Sequence, residues 1–354
     1  MHVKLVFFCA ALLFGMGPNA RAQQHGFAGL GAASDGYADV VPGREISFPA
    51  DYGAHHEHRI EWWYVTANLT GEDGLPYGIQ WTLFRQASTP SPQREGWSSQ
   101  QFWLGHAALT SATTHRHAEK LGRGGVGQAG VTAQPFDAWI DDWHLSSTGG
   151  AFSPLTLEAN GEDFGYALTF ETTQPMVLQG DKGFSLKSER GQASYYVSQP
   201  FFEAKGTLHI DDKQIAVSGQ AWMDREWSSQ PLAPDQEGWD WFSLHLASGE
   251  KVMLFRLRHK GGEHFFAGNW ISPQGKSTVI APSDIVLTPL REVKTDGGTH
   301  PVEWRLQVKS RGLDVTAKAL NENAWNDTLF PYWEWPITVS VSEDGVGYLE
   351  MTGY

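Results

Sequence analysis

One cysteine, Cys9, stands among 354 residues. A single thiol excludes an internal disulfide, a dithiol redox pair and a cysteine-based zinc site. Positive charge is scarce as well: 26 Lys and Arg face 40 Asp and Glu, for a net charge of −14. That balance argues against nucleic acid, whose phosphates need a basic face, and against charge-driven docking on an anionic membrane. No segment after the N-terminus reads as a transmembrane helix. Nowhere do apolar residues recur at helical spacing over a dozen positions, so a helical or parallel α/β fold is not indicated. No G-x-S-x-G elbow is present, which leaves an α/β-hydrolase serine unsupported. Gly125-Val126-Gly127-Gln128-Ala129-Gly130 matches G-x-G-x-x-G, but it follows no parallel strand and opens no helix, so it reads as loop glycines. No motif calls for a cofactor.

What is abundant is tryptophan, 16 residues, within an apolar content of 41%. The N-terminus carries an export pattern: Lys4, an apolar Leu5–Met16 run, then Ala20-Arg21-Ala22 before Gln23. Residues 1–22 are therefore expected to be a signal peptide cleaved after Ala22, placing the protein in the periplasm. Cleavage removes the only cysteine. Residues 23–48 are Gly- and Ala-rich and are expected to form a flexible lead-in.

Beyond them the pattern is β. Apolar and polar residues alternate in short segments separated by turns. Glu61–Thr70 and Tyr77–Gln86 flank Gly71-Glu72-Asp73-Gly74 as a hairpin, and Thr207–Ile210 with Gln214–Trp222 forms another around Asp211-Asp212-Lys213. Residues 113–130 read as a long loop. The strand-free Ser228–Gly238 stretch, with Pro231 and Pro234, divides a first β domain (49–230) from a second (231–354).

Aromatics sit at alternate strand positions: Trp62 and Tyr64, Trp239 and Trp241, Trp333 and Trp335. Each pair shares a strand face, which suits either core packing or the wall of an apolar ligand cavity in a barrel. Trp222-Met223-Asp224-Arg225-Glu226-Trp227 is the densest candidate for chemistry. Extended, it puts Trp222, Asp224 and Glu226 on one face and Met223, Arg225 and Trp227 on the other. Two carboxylates at that spacing in a dry aromatic cavity raise each other's proton affinity, and one can serve as a general acid. Tryptophan faces can stabilise a developing carbocation. The competing reading is a buried Asp/Arg/Glu network. Glu61 and Arg85 are placed to pair across their hairpin. His55-His56-Glu57-His58 is a weak zinc candidate, with His106, His115 and His117 as conceivable partners.

Taken in order, Glu61-Trp62-Trp63-Tyr64, Phe84-Arg85, Gly105-His106-Ala107, Ser194-Tyr195-Tyr196, Trp222–Trp227, Gly238-Trp239-Asp240-Trp241-Phe242 and Gly347–Tyr354 resemble the AttH/CrtC family. This is a group of bacterial lipocalin-like proteins that includes carotenoid 1,2-hydratases. The resemblance runs from about residue 45 to the C-terminus. It implies an all-β chain of two consecutive lipocalin-like antiparallel β-barrels with little helix, and a lipophilic ligand. In the hydratase branch an Asp matching Asp224 is taken to protonate a terminal isoprenoid double bond. Here Arg225-Glu226 follows that Asp where the hydratases carry a His. The export signal and this departure fit the AttH branch, often associated with ABC transport systems. Two expectations result. The first is an exported binder of a lipid or isoprenoid-like molecule, working with an ABC transporter. The alternative is an acid-catalysed hydratase or isomerase with Asp224 as acid and Glu226, Arg225 and Tyr195 beside it. In both, Trp62, Tyr64, Arg85, His106, Tyr196, Trp222, Trp239 and Trp241 are expected at the ligand.

Overall fold

The computed structural model describes residues 27–295 and 297–354; the expected signal peptide lies outside them. Among the described residues every strand pairing is antiparallel, and the helical segments are single turns of 3-10 helix. Among the described residues, no helix is long and apolar enough to cross a membrane.

The first sheet contains β1 (Ile60–Gly71), β2 (Pro76–Ala87), β3 (Gln101–Ser111), β4 (His115–Arg123), β5 (Ala129–Ala133), β6 (Phe136–Ile140), β7 (Trp143–Ser147), β8 (Leu155–Asn160), β9 (Phe164–Glu171), β10 (Val177–Leu178), β11 (Phe184–Leu186), β12 (Ala193–Ile210) and β13 (Lys213–Ser228). Its order is β4-β3-β2-β1-β13-β12-β9-β8-β7-β6-β5, with β10 and β11 also on β12. It curls into a nearly closed barrel. The second sheet contains β14 (Gln236–Leu246), β15 (Lys251–His259), β16 (Phe265–Ile271), β17 (Ser277–Val279), β18 (Ile285–Thr295), β19 (Gly298–Val308), β20 (Leu313–Ala319), β21 (Trp325–Asn326), β22 (Tyr332–Val341) and β23 (Gly345–Thr352). Its order is β17-β16-β15-β14-β23-β22-β20-β19-β18, with β21 on β22. Where a second barrel was expected, this sheet is a half-barrel. The central strands repeat: β3-β2-β1-β13-β12 in the first sheet corresponds to β16-β15-β14-β23-β22 in the second.

Period-2 alternation decides what each face meets. On β1, Trp63, Val65, Ala67 and Leu69 enter the core of the first sheet, joined by Trp81, Leu83 and Met223. On β14, Phe242 and Leu244 enter the core of the second, with Trp304, Trp333 and Trp335. The intervening positions of the same strands form a third apolar cluster between the sheets. It includes Tyr64, Tyr196, Trp222, Trp241, Phe255 and Tyr348. The aromatic stripes thus serve both purposes weighed from the sequence: one member of each strand fills a core, and its neighbour faces the other sheet.

The β1–β2 hairpin forms where expected. Gly74 takes φ +77° in its turn, a conformation that suits glycine. Gly78 allows the sheets to meet, since a Cβ there would come within 2.6 Å of the Tyr348 hydroxyl and of Pro336. Two expectations need correction. Residues 113–130 are not all loop, because His115–Arg123 forms β4. Its half-buried, polar sequence, HRHAEKLGR, hides the alternation. The described part of the lead-in is irregular yet pinned: Tyr37 Oη donates to Ala87 O at 2.9 Å, and Val41 N to Tyr195 Oη at 2.9 Å.

Candidate functional site

Between the two sheets lies a cavity of about 460 Å³, within the size range of small-molecule sites. The first sheet contributes Trp62 and Tyr64 from β1, Thr82 and Phe84 from β2, His106 from β3, Tyr196 from β12, and Asp224 and Glu226 from β13. The second contributes Trp239 and Trp241 from β14, Phe255 and Leu257 from β15, Tyr332 from β22, and Glu350 and Thr352 from β23. Ala28 and Leu30 of the lead-in reach it too, as do Leu329 and Phe330 of the segment before β22. The site belongs to neither sheet alone; it is the gap between their outer faces, whereas a barrel interior was the expectation.

Asp224 is 3% exposed. The Ser198 hydroxyl donates to its Oδ1 at 2.5 Å, the Trp222 indole N–H to Oδ1 at 2.6 Å, and the Tyr196 hydroxyl to Oδ2 at 2.6 Å. A further layer holds those donors: Gln179 Nε2 donates to Ser198 Oγ at 2.8 Å, and Trp241 Nε1 to Tyr196 Oη at 3.0 Å. Burial pushes the Asp224 carboxyl up to about 7; the three donors oppose the shift and the Glu226 charge adds to it. Glu226 has a different environment, with Lys187 Nζ at 2.8 Å and the Ser194 hydroxyl on Oε1.

Across the cavity, Glu350 accepts from the Trp239 indole. Burial raises it to about 7, against the pull of that indole and with help from the Asp224 and Glu226 charges. Its cross-strand partner is Glu334, paired Cα to Cα between β22 and β23. Glu334 is 1% exposed, and the Tyr64 hydroxyl donates to its Oε1. Burial, then the Glu350 charge, raise it well above the ordinary carboxyl range. His106 Nδ1 lies 2.9 Å from Tyr332 Oη, and its Nε2 lies 3.0 Å from Glu119 Oε2, which also accepts Leu329 N at 2.9 Å. Glu119 can only accept, so Nε2–H points at it; burial lowers the proton affinity of the ring, and Glu119 opposes that shift.

Of the residues singled out from the sequence, Asp224, Glu226, Trp62, Tyr64, His106, Tyr196, Trp239 and Trp241 all meet at this cavity. Trp222 stands behind its wall, fully buried, reaching the site through its indole N–H. The other three point elsewhere. Arg225 and Arg85 project from the opposite face of their sheet and both pair with Glu61, so neither touches Asp224. Tyr195 also faces away, packing on Trp227 with ring centroids 5.5 Å apart, and its neighbour Tyr196 holds Asp224 instead. Strand alternation accounts for all of this, since adjacent residues occupy opposite faces. His55 belongs to the Glu61 network, with Nε2 2.8 Å from Asp51 Oδ1 and its ring stacked 4.1 Å from Trp227. Among the described residues, no cluster of His, Cys, Asp and Glu is arranged to hold a metal. The sequence reading missed Glu350 and Tyr332 as site residues. The available signal for Glu350 was a carboxylate in the apolar terminal strand, out of phase with Leu349 and Met351.

Known proteins share this architecture. An AttH protein from Nitrosomonas europaea superposes with a TM-score of 0.80 at 33% identity, over 90% of this chain and 99% of that one. Kievitone hydratase from Nectria haematococca superposes with a TM-score of 0.65 at 16% identity, over 90% of this chain and 96% of its own, a likeness of fold. No protein of curated function matches in sequence. The AttH-like family model matches residues 39–354. The chain belongs to the AttH-like family.

Proposed function

We propose that the inter-sheet cavity binds an elongated lipophilic molecule and that Asp224 protonates an isolated carbon–carbon double bond within it, as the first step of hydration. One observation carries the reading: a carboxyl buried in an aromatic wall, raised to about 7, with no ion-pair partner among the described residues. Such a group is a proton donor at neutral pH. Protonating a trisubstituted terminal alkene yields a tertiary cation. Trp62, Trp239 and Trp241 line the cavity, where an indole face stabilises such a cation, and water then adds. The hydratase of similar fold supports this reaction class. The polyene of a carotenoid and the prenyl group of a phenolic compound both present such a bond. Export through residues 1–22 belongs to the same proposal. A mature chain beginning at Gln23 in the periplasmic fraction is the expected result, and an uncleaved cytoplasmic chain would remove that part.

The test is incubation of purified protein with kievitone and with a linear polyene isoprenoid in oxygen-labelled water, followed by mass spectrometry. One labelled water gained per molecule is expected. Asp224→Asn should lower turnover by about 100-fold or more while leaving quenching of tryptophan by the bound ligand unchanged. Wild-type activity should fall as pH rises through about 7, where Asp224 loses its proton. Binding without turnover in the wild type would make the protein a carrier instead.

A further inference from the structure

Asp224 accounts for one half of a hydration. The other half, removal of a proton from the attacking water, needs a base on the far side of the reacting carbon. The second sheet brings a carboxylate to the same cavity. Glu350 lines the cavity on β23, which pairs with β14, and it sits opposite Trp241 in register. Its only described hydrogen bond comes from an indole N–H, which can only donate, so that oxygen must accept. Directly across β22–β23 stands Glu334. Like charges at paired antiparallel positions repel. Among the described residues neither Glu350 nor Glu334 has a cationic partner. Lys187, the lysine on the cavity wall, is engaged by Glu226. Arg256 and Arg258 lie on the opposite face, holding Asp240. Glu334 Oε2 is buried without a well-formed hydrogen bond. A buried carboxyl and a half-buried one, paired in register and lacking a cation, keep at least one proton between them.

We propose that Glu350 is the water-activating base of the reaction, with the buried Glu334 carrying the proton that lets Glu350 stay ionised. The inference rests on the hydration reading. Asp224 gives its proton to the less substituted, CH carbon of the alkene and becomes a carboxylate. Water forms a bond to the tertiary cation, and its proton passes to Glu350. The product is a tertiary alcohol, and proton return from Glu350 to Asp224 through solvent restores the resting state. The titratable groups that share the cavity or a charge interaction with Glu350 are Asp224 and Glu226 of β13, Lys187, Tyr196 of β12, Tyr64 of β1, and Glu334 and Tyr332 of β22.

Two measurements on the full mature chain test this. Infrared titration of carboxyl C=O bands in the ligand-free protein should show two groups exchanging protons near neutral pH. Asp224→Asn should remove one of them and Glu350→Gln the other. Glu334→Gln, which exchanges a protonated carboxyl for a neutral amide, should leave Glu350 titrating near neutral pH. An unchanged pair of titrations in Glu350→Gln overturns the assignment without reference to any substrate. With kievitone, Glu350→Gln should lower kcat at least 100-fold with KM within about 3-fold, and Glu350→Asp should recover part of the loss. Wild-type kcat in Glu350→Gln would overturn the base role while leaving Asp224 as acid. If the wild type is inert to kievitone and to the polyene, the hydration reading falls and the base role with it.

Discussion

Each sheet holds a carboxylate on its inner face that is clamped by arginine, and the gap between the sheets holds carboxyls that are not. In the first sheet Glu61 receives Arg85 from β2 and Arg225 from β13, with the His55 backbone N–H at 2.9 Å. In the second, Asp240 receives Arg256 and Arg258 at 2.6 Å each and the Tyr354 hydroxyl at 2.7 Å. Asp224 is nearly as deeply set and Glu350 is half-buried on the cavity wall, and their neighbours are hydroxyls and indoles. Burial alone would raise Glu61, Asp224 and Glu350; at Glu61 the two arginines and His55 outweigh it and hold the carboxyl well below its ordinary range, whereas Asp224 and Glu350 rise to about 7. Partner chemistry, more than depth, decides whether a buried acid fixes a sheet or keeps a usable proton.

The comparison breaks most visibly at Glu61. Glu61→Gln leaves two buried guanidinium groups without their counter-charge, and a loss of about 3–5 kcal/mol in denaturant unfolding is expected. A loss under about 1 kcal/mol would mean that the clamp does not matter. Because the Glu61 carboxyl is lowered in the folded state, its contribution is present above the ordinary carboxyl pKa of about 4.3 and vanishes as pH falls through the lower folded value. Asp224 has the opposite sign. Its folded value is raised, so its contribution is greatest below about 4 and is lost as pH rises through about 7. Asp224→Asn should therefore stabilise the fold at pH 8 by about 1–3 kcal/mol and do little at pH 4. Thermal melts at both values decide it, and equal shifts would contradict the assignment. The smallest effect is expected at Glu334. Glu334→Gln exchanges a protonated carboxyl for a neutral amide beside Glu350 and should change stability at pH 8 by less than about 1 kcal/mol. A larger gain would show that both carboxyls are ionised and repel.

Much of this was legible in the residues. Alternation around Trp62–Tyr64 and Trp222–Trp227 marks the strands and assigns Asp224 and Glu226 to one face, as found. The β1–β2 turn announces itself through Gly71 and Gly74. The first half of β12 was harder to read, because a bulge between Gln199 and Phe202, at Pro200, resets its register. Alternation also cannot say which face is the interior. Arg225 and Arg85 look like site residues because they are charged and next to aromatics; only the curl of the sheet turns them inward. The cavity itself is a product of two sheets meeting through contacts such as Gly78 against Tyr348, and no local pattern encodes that meeting.

The cavity walls are the outer faces of two sheets whose inner faces are filled separately, by the Trp63 cluster on one side and the Trp304 cluster on the other. A substitution at Phe84, Phe255 or Leu257 therefore reshapes the cavity without opening a hole in either core. Selection can act on what the molecule accommodates while leaving its ability to fold almost untouched. The clamped acids anchor each core, and the gap is the part of the scaffold whose shape can change.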